Sequence, residues 1–215
     1  MKKLLLSAFV ICLAGTSIAQ ESPLWMRHCA LSPDGTTIAF TYKGDIYTVP
    51  STGGRATQIT TNPAFDTEPV WSPDSKQIAF ASDRMGSLDV FVVSSEGGAP
   101  QRLTTHSGSE KPVAYKDNKH ILFTANIAPS AEDAGFPSGQ FQQVYEVAVT
   151  GGRPAMFSSM PMECISINKE GVMLYQDKKG YEDYWRKHQV SPIARDIWTY
   201  TPGKKPVYQK QTTFG

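Results

Sequence analysis

The chain has 215 residues, 40% of them hydrophobic and 19% charged, a composition typical of a globular protein and not of a disordered one. Its formal net charge of +1 provides no basic field for nucleic acid, so we expect no nucleic-acid partner. The 17 glycines, 15 prolines and 11% aromatic residues favour a turn-rich β protein.

Residues 1–19 have the pattern of a secretory signal peptide. Lys2 and Lys3 precede an apolar stretch at 4–14, which is too short to span a bilayer comfortably, and Ala19 ends a small-residue cleavage site. An uncleaved N-terminal anchor is the alternative. We expect cleavage after Ala19, an exported (periplasmic or secreted) bacterial protein, and no membrane span after cleavage.

From residue 25 to residue 213 the chain repeats itself. "SPDGTTIAF" at 32–40 returns as "SPDSKQIAF" at 72–80, and weaker copies end at Phe123 and Tyr175. In every copy a second strand-like run, such as "DIYTV" at 45–49, precedes a glycine-containing turn. A period of about 40 residues with four short strands per unit is typical of a β-propeller blade. A two-sheet sandwich is the alternative, but it would not require near-identical units.

We therefore predict an all-β fold, a β-propeller of four-stranded antiparallel blades with about four blades present. The blades should occupy approximately residues 25–61, 66–105, 110–158 and 162–213.

The pattern of SPDG, IAF, DIY, GG and a closing Thr resembles the repeat of TolB and of tricorn-type proteases, over essentially all of 25–213. Copy three replaces Ser-Pro with Tyr115-Lys116, and copy four has Lys169 in place of the Asp. Because this family closes its rings with about six or seven blades, the resemblance implies an incomplete ring. It also implies partners in a longer parent protein, namely the remaining blades and PDZ-like and serine protease domains.

The copies differ mainly in the loop between their second and third strands. This loop class spans five positions in copy one, nine in copy two, twenty in copy three and twenty-one in copy four. The connections between blades should emerge on the same face as these loops, and binding sites usually lie on such loops. Neutral loop drift would also explain the lengths. The insert at 125–141 is small and polar, whereas the insert at 176–195 is aromatic and charged.

The insert at 176–195 supplies the predicted binding residues for a peptide or protein substrate. Its phrase "YEDYWRKHQVSPIARDIW" resembles the corresponding blade of bacterial tricorn-like proteases. Aromatic and arginine side chains are common in recognition surfaces, although they could equally plug the edge of the blade. The predicted residues are Tyr181, Tyr184, Trp185, Arg186, Lys187, His188 and Arg195.

When the copies are aligned on the turn Asp, or its equivalent, each copy has a polar residue at the same position, at the start of its innermost strand. We expect these residues at the mouth of the central channel, although ordinary exposure at a strand start would explain them too. They are His28, Glu68, Lys111 and Glu163. The same alignment makes Cys29 and Cys164 equivalent in blades one and four, too far apart for a disulfide. We expect two buried free thiols.

No pattern in the sequence indicates catalysis, a metal or a cofactor. There is no HExxH or paired CxxC spacing, no Gly-x-Ser-x-Gly elbow and no phosphate-binding loop. The resemblance implies a non-catalytic propeller of an exported serine peptidase, which guides or filters peptides. A TolB-like periplasmic interaction module is the alternative, and a propeller lyase or hydrolase with its site in the channel is a third.

Overall fold

The computed structural model describes residues 25–127, 142–177 and 195–212. These ranges hold sixteen β-strands, arranged as four antiparallel sheets of four strands each, and no helix. Strands that are neighbours in the chain are neighbours in each sheet, as expected for the blades of a propeller. The predicted all-β propeller with four blades is confirmed.

Each blade is a meander of four strands. Blade 1 contains β1 (Arg27–Leu31), β2 (Thr37–Tyr42), β3 (Asp45–Pro50) and β4 (Thr57–Gln58). Blade 2 contains β5 (Asp66–Trp71), β6 (Gln77–Ser82), β7 (Asp89–Ser94) and β8 (Gln101–Arg102). Blade 3 contains β9 (Lys111–Asp117), β10 (His120–Ala125), β11 (Gln143–Ala148) and β12 (Ala155–Ser158). Blade 4 contains β13 (Met162–Ile167), β14 (Met173–Asp177), β15 (Ile197–Thr201) and β16 (Val207–Lys210).

The repeated Asp is a turn residue in the structure. In blade 1 the N–H of Gly35 donates to the carbonyl of Ser32 at 2.8 Å, which closes a turn with Pro33 at its second position. Asp34 Oδ1 accepts hydrogen bonds from the Ser32 hydroxyl and from the Thr36 N–H and hydroxyl. These bonds, that of Ser32 first, lower the pKa of Asp34 to about 2.

The corresponding turn is one residue shorter in blades 3 and 4. Leu31 pairs with Ile38 in blade 1, seven positions apart, whereas Tyr115 pairs with Ile121 in blade 3, six positions apart. An alignment anchored on the turn Asp therefore shifts the innermost strands of blades 3 and 4 by one residue. This shift changes which residues correspond at the inner edge.

The core lies between the blades. Alternate residues of each strand face the preceding and the following blade, because side chains on a strand alternate between its two faces. Ala39 and Ile46 of blade 1 pack against Ile78 and Phe80 of blade 2. Two further clusters of buried hydrophobic residues lie between blades 2 and 3 and between blades 3 and 4.

The blades form an arc in chain order. β1 contacts β5, β5 contacts β9 and β9 contacts β13, and within the described ranges no contact of similar extent joins β13 to β1. Leu122 and Leu174 occupy the same position in blades 3 and 4, as their pairing with Glu146 and Thr199 shows. Leu122 is 0% exposed under blade 4, but Leu174 is 46% exposed. Among the described residues, the outer face of blade 4 thus lacks the cover that blade 4 gives to blade 3.

Candidate functional site on the loop face

The propeller arc has two different faces. The turn face carries the tight turns, for example where the Ser51 N–H donates to the Thr36 carbonyl at 2.8 Å. The loop face carries the connections between second and third strands and those between blades. Hydrogen bonds join these two classes of connection. The N–H of Asp66, after the connection from blade 1 to blade 2, donates to the carbonyl of Gly44, between the second and third strands of blade 1, at 2.7 Å. The N–H of Glu110 donates to the carbonyl of Leu88 in the same way one blade later, also at 2.7 Å. The two connection classes therefore share one face in blades 1 and 2, as expected, whereas the long inserts of blades 3 and 4 lie largely outside the described residues.

Most of the predicted binding residues lie outside the described residues. These are Tyr181, Tyr184, Trp185, Arg186, Lys187 and His188, and the greater part of the 125–141 insert is also outside. Arg195 is described, and its guanidinium donates to the Glu163 carboxylate on the innermost strand of the same blade. The base of the blade 4 insert is thus fixed to the inner edge of its own blade.

The innermost strands carry β-bulges where they meet the loop face. The pairing shifts between Arg27 and Ala30 in blade 1, between Thr67 and Val70 in blade 2, and between Glu163 and Ser166 in blade 4. The first bulge residue has a positive φ in all three cases, namely 51° at His28, 55° at Glu68 and 52° at Cys164. Positive φ is uncommon for such residues, and bulges redirect side chains next to binding sites.

The structure corrects the predicted alignment of the channel-mouth set. His28 and Glu68 are equivalent, but the residue that corresponds to them in blade 4 is Cys164 and not Glu163, because the first turn of blade 4 is shorter. Lys111 likewise lies one position earlier, opposite Thr124.

Four predicted residues meet as two separate ion pairs. Lys111 Nζ lies 2.7 Å from Glu68 Oε1 and so links blades 3 and 2, whereas Glu163 binds Arg195 within blade 4. Within the described ranges, no hydrogen bond or ion pair joins exposed His28 to Glu68, Lys111 or Glu163, the rest of the channel-mouth set. The channel-mouth role of the set remains a prediction.

The prediction for the cysteines was half wrong. Cys29 and Cys164 are free, as expected, but both are exposed and not buried. Nor are they equivalent, since Cys29 is the second bulge residue and corresponds to Ile165, while Cys164 is the first. A bulge interrupts the alternation of inward and outward side chains, so a thiol there is not held in the core.

A concave groove runs along the inner edge of the arc. Its volume is about 650 Å³, and all four innermost strands line it, through residues such as Leu31, Trp71, Tyr115 and Ile167. Its lining is largely apolar near the strands and becomes polar at the turn face, where Asp117 and Asn168 contribute. A groove of this kind can hold an extended ligand, and the one serine among its described lining residues, Ser166, has no hydrogen bond to a histidine or a carboxylate.

A set of buried acids lies between the blades and was not predicted from the sequence. Asp66 is 0% exposed and is held by Arg84, whose Nη2 lies 2.9 Å from Oδ1 and 3.0 Å from Oδ2. Asp89 is also 0% exposed, and Arg102 Nη2 lies 2.9 Å from its Oδ2. The leading Asp of "DVFVV" at 89–93 and the Arg of "SDR" at 82–84 were the available signals, but only the fold brings the pairs together.

Glu110 is the unusual member of this buried set. It occupies the place in blade 3 that Asp66 has in blade 2, yet Arg102 pairs with Asp89 and not with Glu110. Burial raises the pKa of Glu110 to about 7, and the nearby Asp89 adds to the increase, which the neighbouring Thr104 partly opposes. A carboxyl group buried between blades with this pKa is a structural element and not a surface acid.

The described ranges contain no cluster of three or more His, Cys, Asp or Glu residues able to hold a metal ion. They also contain no helix with the length and apolarity needed to cross a bilayer.

The sequence resembles short parts of two curated proteins. The chain is 39% identical over 77 residues to "Tricorn protease homolog 1" of Streptomyces coelicolor, covering 36% of this chain and 7% of that protein. It is 32% identical over 108 residues to "Uncharacterized peptidase YuxL" of Bacillus subtilis, covering 45% of this chain and 16% of that protein. The chain thus spans only a small part of these relatives.

Solved structures share the fold at low identity. The tricorn protease matches with a TM-score of 0.64 and 17% identity, covering 88% of this chain and 18% of that chain. The TolB of Acinetobacter baumannii matches with a TM-score of 0.59 and 21% identity, covering 81% and 40%. The family model that describes the tricorn protease N-terminal beta propeller domain matches residues 23–212. The chain therefore belongs to the family of tricorn protease N-terminal β-propeller domains.

Proposed function

We propose that this propeller is the non-catalytic substrate-handling part of an exported tricorn-like serine peptidase. It would guide or filter peptides on their way to a catalytic domain of a longer parent protein. The observation that carries the proposal is the family match over residues 23–212. An inner groove of about 650 Å³ and the long loops predicted for one face fit such a role.

The uncovered face of blade 4 supports association with further domains. Ile197 is 37% exposed, whereas Val90 and Val144, which have the same pairing position in the third strands of blades 2 and 3, are 0% exposed. An apolar blade face of this kind is suited to another blade of the parent protein.

The filtering role can be tested in the parent protein with a pair of substrates of different length. Trp185→Ala and Tyr184→Ala should change kcat/KM for a long peptide while leaving a chromogenic dipeptide unaffected. Lys204→Ala, on the turn face, is the matched control and should change neither. Equal effects on both substrates, or none on either, would count against filtering.

Export makes a separate prediction about the N-terminus. If residues 1–19 are removed on secretion, N-terminal sequencing of the mature protein should start at Gln20. An intact Met1 in the exported fraction would contradict cleavage and favour an anchor.

A TolB-like interaction module is the second candidate, favoured by the fold it shares with the A. baumannii TolB at a TM-score of 0.59. The genomic reading frame separates the two. A frame that continues into PDZ-like and catalytic domains supports the peptidase, whereas a frame that ends after two more blades supports the interaction module.

A further inference from the structure

We propose that a notch on the loop face of blade 1 binds an extended acidic peptide segment that carries an aromatic or large apolar side chain. The notch has a volume of about 430 Å³, and its walls include Trp25, Arg27, Thr41, Lys43, Pro63 and Phe65. We call it the blade 1 notch. This proposal is independent of any role in guiding peptides to a protease.

The shortest of the loops between second and third strands lies at the notch. Tyr42 and Asp45 pair across a two-residue turn in which Lys43 and Gly44 have φ values of 51° and 89°. Positive φ at both central residues is the type I′ geometry, which suits a tight hairpin. The corresponding loops of the other blades are longer, so blade 1 alone has a minimal turn at this edge.

Two aromatic side chains beside the notch are open to solvent. Trp25 is 75% exposed and Phe65 is 47% exposed. Single exposed apolar residues are ordinary on a protein surface. Here, however, two aromatic rings line one concavity together with Pro63 and Ala64, and aromatic residues are common anchors in interfaces.

Two cations on the notch wall have no acidic partner. The Arg27 guanidinium lies 5.2 Å from the Trp25 ring, and Lys43 Nζ lies 5.3 Å from the Tyr42 ring. Neither forms an ion pair within the described ranges. By contrast, several other cations of the protein are paired with carboxylates, namely Arg84, Arg102, Lys111, Lys116, Arg195 and Lys210.

The acids close to the notch in sequence already have partners. Asp83 Oδ1 accepts the Phe65 N–H at 2.7 Å. Asp45 accepts hydrogen bonds from the Gln58 amide and the Thr60 hydroxyl. The lining of the notch holds the two cations Arg27 and Lys43 and no acid, so a carboxylate on a ligand would complement it.

Thr41 adds a polar group to the notch lining. It is 4% exposed, and its hydroxyl has no hydrogen-bond partner within the described ranges. Buried hydroxyls are usually hydrogen-bonded. A peptide backbone lying in the notch would offer both a donor and an acceptor close to this group, which favours an extended peptide over a purely apolar ligand.

Isothermal titration calorimetry with a defined peptide pair tests the proposal. The probe is the hexapeptide Gly-Phe-Leu-Asp-Glu-Gly with blocked ends, and its comparison is Gly-Phe-Leu-Asn-Gln-Gly. We expect the acidic peptide to bind about tenfold more tightly at low salt and to lose most of that advantage at about 0.5 M NaCl. Arg27→Gln, Lys43→Gln and Phe65→Ser should each weaken binding about fivefold or more.

Lys204→Gln and Lys205→Gln are the matched controls, since they remove the same charge from the turn face of blade 4 and should leave binding unchanged. Circular dichroism and thermal unfolding verify that each variant is folded. Equal affinity for the two peptides, no binding of either, or equal losses in the controls would overturn the proposal. So would a concentration-dependent dimer that Arg27→Gln dissociates, because the occupant would then be a second copy of the chain.

Discussion

At the residue scale, Asp66 and Glu110 occupy corresponding places in blades 2 and 3 but have different surroundings. Arg84 binds both carboxylate oxygens of Asp66 and also lies 4.5 Å from the Phe91 ring centroid. Glu110 lies near Asp89, whose charge is shared with Arg102. The same position in the repeat thus holds an ion-paired acid in blade 2, Asp66, and an acid with a raised pKa in blade 3, Glu110.

Removing Arg84 should destabilise the protein strongly. Arg84→Met leaves the Asp66 carboxylate buried without its cation, which we expect to cost about 3 kcal/mol in the free energy of unfolding. Urea unfolding measures the loss. The double variant Arg84→Met, Asp66→Asn should recover a large part of it, and Lys116→Gln, at an exposed pair, should cost less than about 1 kcal/mol. A small loss in Arg84→Met would show that the pair is not needed.

Glu110 should make stability depend on pH. Its pKa in the folded protein is about 7, above the ordinary 4.5, so the folded state holds a proton that the unfolded state releases. The contribution is therefore full below about pH 4.5 and is lost as the pH rises towards 7, by at most about 1.4 kcal/mol per pH unit.

Glu110→Gln keeps the shape of Glu110 without the ionisable proton. Urea unfolding at pH 5 and pH 8 should give a smaller difference for this variant than for the wild type. Glu96→Gln, at an exposed site, should behave as the wild type. A wild-type difference that persists in Glu110→Gln would assign the pH dependence to another group.

At the element scale, the first turns of neighbouring blades are linked to one another. The Asp34 N–H donates to the Ser75 hydroxyl at 3.3 Å, and the Asp74 N–H donates to Asn118 Oδ1 at 3.1 Å. Each turn thus positions the next on the turn face. The repeated turn sequence accordingly contributes to stacking between blades as well as to the hairpin within each blade.

Two glycines of blade 4 both have room for a Cβ atom, but only one of them has a positive φ. Substituting each by alanine therefore tests how much the backbone conformation alone contributes to stability. Gly171 has a φ of 77°, whereas no positive φ occurs at Gly203, and neither would bring an added Cβ closer than 3.5 Å to its neighbours. Gly171→Ala should destabilise the protein by about 1 kcal/mol, and Gly203→Ala should change stability by less than about 0.5 kcal/mol. Thermal unfolding of both variants tests this, and equal effects would contradict it.

At the scale of the whole molecule, the arc ends in an uncovered blade face. Leu122→Ala should cost about 3 kcal/mol because it opens a cavity between blades 3 and 4. Leu174→Ala, at the same position of blade 4, should cost less than about 1 kcal/mol, because that side chain is 46% exposed. Denaturant unfolding compares the two variants directly. Similar losses would show that Leu174 is covered in solution.

The sequence by itself determined the blades. Their turns and strands depend on residues close together in the chain, such as Ser32, Pro33 and Gly35, so the repeat alone predicts strand number, pairing order and fold class. It also placed Lys111 and Glu163 near the inner edge, although one register position away from where His28 and Glu68 lie.

Only the tertiary structure decided the residue contacts between blades. The one-residue difference in turn length displaced the channel-mouth alignment, and the bulges exposed Cys29 and Cys164. The Asp66–Arg84 pair, the raised pKa of Glu110 and the blade 1 notch likewise depend on how separate segments meet. A repeat records the conformation that its copies share, whereas burial, charge pairing and concavity arise from residues distant in sequence or different from copy to copy.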